Sequence, residues 1–152
     1  MDQDIQDFGE MLGRNILTRN WSTVHQHLAP WLQASTSVAE VEHFFEKAYR
    51  SILEENGIQT LHYPEHPEPS VSGNTLINAT GLREPIGFLD GKVRTVPSEL
   101  TDQNMRYWMK LELHCSDEQM DALDFDTFCE LWIAVVTSPE GLRVGYWSHG
   151  AY

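Results

Sequence analysis

Basic residues are scarce in this chain. Ten lysines and arginines stand against 23 aspartates and glutamates, for a formal net charge of −13 and a pI near 4.7. Such a surface repels phosphate backbones and anionic lipid, so neither nucleic acid nor a membrane is an expected partner; a basic protein would be steered toward it. Cysteine is scarcer still. Cys115 and Cys129 fall inside apparent strands with no CxxC or Cys/His cluster nearby, and they read as buried free thiols rather than a disulfide or a metal pair. No stretch approaches the roughly 18 consecutive apolar residues of a membrane helix. The opening MDQDIQDFGEML lacks a basic region followed by an apolar run, so no signal peptide is expected and a cytoplasmic location follows. No Ser/His/Asp or Cys/His arrangement, glycine-rich phosphate loop or zinc spacing occurs. No catalytic residue, metal ligand or cofactor is therefore assigned.

What is present is enough apolar material for one core. The 152 residues fit a single domain, 1–152, with no repeat and no second composition regime. Ile5, Phe8, Leu12 and Ile16, with Met11 and Leu17 beside them, form one stripe at helical spacing and predict a helix over 2–19. A short second helix over TVHQHL is expected, capped by Ser22 and ended at Ala29-Pro30. Ser37-Val38-Ala39-Glu40 is a capping box. It opens a helix whose apolar face runs through Val38, Val41, Phe44, Phe45, Ala48, Tyr49, Ile52 and Leu53 and stops at Asn56-Gly57. A face that wide must lie on a sheet.

HYPEHPEPSVSG reads as a Pro-rich surface connection. His62, Glu65, His66 and Glu68 have metal-ligand chemistry, but prolines at 64, 67 and 69 prevent a helix that would converge them, so the segment is expected to be a solvated linker. NTLINATG is expected as a short strand and GFLDGKV as a hairpin turning at Asp90-Gly91. Period two then takes over in MRYWMKLELHC. Met105, Tyr107, Met109, Leu111, Leu113 and Cys115 are expected on the face toward the helices, and Arg106, Trp108, Lys110, Glu112 and His114 on the other. SDEQMDALDFD lacks calcium-loop spacing and reads as an acidic connection. Two strands, Phe128–Thr137 and Leu142–His149, close the chain around SPEG.

Helices followed by a meander of strands predict an α+β fold. The stretches LTRNWSTVHQHLAPWL, SVAEVEHFFEKAYRSIL and LWIAVV…LRVGYW resemble the nuclear transport factor 2-like superfamily, also called cystatin-like. The resemblance implies N-terminal helices packed on a curved, mainly antiparallel sheet, a cone whose interior holds the site. Its members include isomerases, hydratases, bacterial immunity proteins and non-catalytic binders, so it implies fold more than function.

The candidate ligand- or partner-binding residues are Trp108, His114, Glu130, Trp132, Tyr146, Trp147 and His149. How the last two strands present them depends on the turn. If all four SPEG residues loop out, Thr137 pairs with Leu142, Trp132 opposes Trp147 and Glu130 opposes His149. If Gly141 forms a bulge, the pairing slips by one and Trp132 opposes Ser148. The turn chemistry favours the bulge. Leu131, Ile133, Val135, Trp147 and His149 then share one face, and Trp132, Ala134, Val136, Val144 and Tyr146 the other. A sheet apolar on both sides needs cover on both, which predicts a homodimer through the sheet face unless loops cover it. The expected function is a non-catalytic binding module for a small apolar ligand or a protein partner. Two alternatives stand: an isomerase- or hydratase-type enzyme pairing His149 or His114 with Glu130, and an acidic immunity protein neutralising a basic toxin.

Overall fold

The computed structural model describes residues 3–55, 66–73, 97–101, 103–114 and 127–149. The expectations for NTLINATG, GFLDGKV, SDEQMDALDFD, Asn56-Gly57 and Cys115 fall outside these residues. Four helices come first: α1 (Gln3–Leu17), α2 (Trp21–Gln26), α3 (Pro30–Ser35) and α4 (Val38–Glu55). Four strands follow: β1 (His66–Gly73), β2 (Met105–His114), β3 (Thr127–Ser138) and β4 (Gly141–His149). The strands form one antiparallel sheet in the order β1-β2-β3-β4. The fold is α+β. The sheet formed by the described strands is neither closed nor strongly curled.

α1 buries the predicted stripe, Ile5, Phe8, Leu12 and Ile16, against β1 and β2. Its end is a Schellman motif. The Asn20 N–H donates to the Asn15 carbonyl at 2.8 Å and the Arg19 N–H to that of Ile16 at 3.0 Å, with Arg19 in the left-handed region at φ 58°. α2 begins at Trp21, so Ser22 lies inside the helix and is not its cap. Asn20 holds the cap position without a side-chain cap bond, its amide being engaged with Asn15. α3 was not anticipated. Pro30 does not merely end α2; it stands at the first position of a new helix, where a missing N–H costs nothing. The α4 capping box is present: the Glu40 N–H donates to Ser37 Oγ at 3.1 Å and the Ser37 N–H to Glu40 Oε1 at 3.2 Å. Val41 and Phe45 are buried beneath it, whereas Val38 is 38% exposed.

The segment HPEPSVSG is a strand and not a surface connection. Among the described strands β1 lies at an edge of the sheet, and Pro67 and Pro69 alternate along it. Residues two apart direct their N–H groups the same way, so both missing donors fall on one side of the strand, compatible with the side away from β2.

The final hairpin contains both expected registers. Ser138 pairs with Gly141 and Thr137 with Leu142 at the turn, whereas Trp132 pairs with Ser148 and Ile133 with Trp147 farther along. The slip occurs at Gly145, between the Ala134–Tyr146 and Val135–Val144 pairs, and not at Gly141. A Cβ on Gly145 would sit 2.6 Å from Val136 Cγ1 and 3.1 Å from Leu100 Cδ1, so only glycine fits at this bulge. Val144 consequently lies with Val135 in the helix-side core, contrary to the expected face. A second slip, between Met105 and Tyr107 on β2, moves Met105 to the far side with Trp108.

Candidate functional site

The sheet divides the seven candidate residues between two faces. On the helix side, Met109, Ile133 and Trp147 stand in register across β2, β3 and β4. Trp147 stacks on Phe44 of α4 at 5.3 Å between ring centroids and meets Phe45 edge-on at 5.4 Å. Phe45 also stacks on Trp21 of α2 at 5.4 Å. These four rings bind α2 and α4 to β4. Trp147 is thus a packing residue among aromatics, and the space it occupies is filled.

On the far side, Trp108, Ala134 and Tyr146 form the corresponding row. The small alanine lets the two rings meet across it, edge to face, with centroids 6.3 Å apart. Leu100, Ala29 and Trp31 join this cluster. Leu100 is presented by the turn before β2, where Asn104 and Thr101 exchange hydrogen bonds at 2.9 and 3.3 Å. The β4 edge is covered too: the Ala29 N–H donates to the Val144 carbonyl and the Val144 N–H to that of His27, both at 2.8 Å. Trp108, Trp132, Ala134 and Val136 are each at most 7% exposed within the single chain. The single chain therefore already covers these four residues. Trp31 and Leu100 were not anticipated; the Pro at the start of α3 was the signal available for Trp31.

His114, Glu130 and His149 are placed by strand register, their side chains lying outside the described part. His149 opposes Leu131 on the helix face. Glu130 opposes Glu112 on the far face, and His114 opposes Thr127. The residue of β3 level with His149 is therefore Leu131, one position along from Glu130. His114 and Glu130 do share a face.

Among the residues whose side chains are described, no polar or charged residue is buried. An open, polar groove lies beside α4, lined by Arg19, Ala39, Glu42, His43 and Glu46, with Arg19 Nε 3.7 Å from Glu46 Oε1. Its side chains are largely solvated, a poor setting for acid–base work. Among the described side chains no group of three or more His, Cys, Asp or Glu is placed to hold a metal ion. No described helix is long and apolar enough to cross a membrane. No protein-family model, curated protein or solved structure matches the chain.

Proposed function

We propose that this chain is a non-catalytic binding module of the nuclear transport factor 2-like kind, and that its partner is a basic protein. The observation that carries this reading is the apolar filling between helices and sheet, with no buried polar group among the residues whose side chains are described. A catalytic cone needs a dry cavity with converging polar groups, and a small apolar ligand needs an empty one. The described interior supports neither, so recognition belongs on the outside.

Charge selects the class of partner. Residues 111–142 carry eight carboxylates and no lysine or arginine. They span the connection from β2 to β3 and the strand that follows. A stretch that holds acids with no base among them steers a cationic surface.

The test compares two charge-neutralised variants. One carries Asn or Gln at Asp117, Glu118, Asp121, Asp124 and Asp126; the other carries them at Asp7, Glu10, Glu42, Glu55 and Glu99. Binding of a lysine-rich peptide is measured by calorimetry at physiological ionic strength. The first variant should lose at least about tenfold in affinity and the second much less. Equal losses would show that net charge alone governs binding and would remove the site.

A further inference from the structure

Two rows of metal-binding residue types cross one end of the sheet. Register sets His66 of β1 opposite His114 of β2, and Glu68 opposite Glu112. Glu112 in turn stands opposite Glu130 of β3. Opposed residues of an antiparallel pair share a face, as do alternate residues along a strand. His66, Glu68, Glu112, His114 and Glu130 therefore occupy a single face, the one away from the helices, on two adjoining rows. The register shift at this end lies between Leu113 and His114 in the pairing with β3 and leaves the β1–β2 register intact.

The glutamate row alone is unfavourable. Neighbouring strands run about 5 Å apart, and like charges directly opposed across them destabilise a sheet. Three carboxylates in line call for positive charge beside them. The adjoining row toward the turn holds Lys110, opposite Ser70 and Trp132. The adjoining row on the other side offers two opposed imidazoles.

We propose that this juxtaposition of two histidines and three glutamates by strand register is a binding site for a divalent transition metal ion of the zinc type. Imidazole nitrogen with carboxylate oxygen suits zinc and its neighbours, whereas calcium and magnesium favour oxygen alone. His66 and His114 are far apart in sequence, so the ion would pin edge strand β1 to β2. The prolines that prevent a converging helix within residues 62–69 also hold β1 extended, and extension is what brings His66 level with His114. The proposal does not depend on the identity of the partner above.

The experiment is zinc titration of the chelator-treated full chain by calorimetry, with thermal unfolding alongside. The expected result is uptake of one ion per chain, a raised Tm, and no comparable effect of magnesium. His66→Gln and His114→Gln should each weaken zinc binding at least tenfold, while His43→Gln, on the exposed face of α4, should leave it unchanged. Absence of zinc uptake by the unsubstituted chain overturns the proposal whatever the variants do. Uptake that survives in the His66→Gln/His114→Gln double variant, with its metal-free Tm matching the unsubstituted chain, places the ion elsewhere and also overturns it.

Discussion

The indole N–H of Trp31 donates to the carbonyl of Gly145 at 2.8 Å, fastening α3 to the bulge that resets the register of β4. The glycine is needed for space and the indole for the hydrogen bond. Gly145→Ala should destabilise the fold by about 1–3 kcal/mol, because the new methyl meets the stiff, β-branched Val136. Trp31→Phe keeps much of the ring and loses the donor, and should cost about 1–3 kcal/mol by leaving the carbonyl unpaired. Urea melts check both. A neutral Gly145→Ala would mean that the register slip lies elsewhere.

The two ends of α4's first turns test different terms. Phe45 is fully buried between Trp21, Phe44 and Trp147, so Phe45→Ala should cost roughly 3–5 kcal/mol. Ser37→Ala removes only the cap bond to Glu40 and should cost about 1 kcal/mol. Denaturant midpoints in the reverse order would contradict the placement of α4 on the sheet.

These cases mark what was legible in the sequence. The α1 stripe, the Ser37–Glu40 box and the alternation of β3, and of β2 from Tyr107 to Leu111, are local patterns, and each appears where its spacing puts it. The bulges were not legible. Gly145 reads as one more strand residue until Val136, Leu100 and Trp31 crowd around it, and that crowding is tertiary. One misplaced slip was enough to put Val144 on the wrong face, because side chains alternate with period two. β1 was hidden by its prolines, which local chemistry rightly marks as helix breakers but which an edge strand accommodates. The site candidates show the same dependence: Trp108 is buried, Trp147 is partly buried against the helix-side core, and His149 stands level with Leu131 rather than Glu130.

Arg19 occupies the left-handed position that ends α1, where a side chain costs roughly 1–2 kcal/mol relative to the right-handed region. Glycine there relieves the strain but gives back about 0.5–1 kcal/mol in unfolded-state entropy. The Arg19–Glu46 pair is largely solvated, with the arginine side chain 52% exposed, and contributes little. Arg19→Gly should therefore be neutral to stabilising by up to about 1 kcal/mol, and Arg19→Val destabilising by about 1–2 kcal/mol, since a β-branched residue tolerates positive φ poorly. Thermal melts giving the two variants equal stability would argue against the Schellman ending.

The last prediction separates cover from within the chain from cover by a second copy. Trp108 is 3% exposed in the single chain, against Tyr146 and the Leu100 cluster. Trp108→Ala should then cost roughly 3–5 kcal/mol, as core truncations of large aromatics do. The loss should be the same at low and high micromolar protein, because intramolecular burial carries no mass-action term. Ala134→Leu, which forces bulk between the two rings, should cost about 1–3 kcal/mol with the same indifference to concentration. Urea midpoints measured across a hundredfold range of protein concentration decide the matter. If the unsubstituted protein gains stability as it is concentrated and Trp108→Ala abolishes that gain, the far face of the sheet is an interface between copies. Midpoints that stay fixed in both proteins place its cover within the chain.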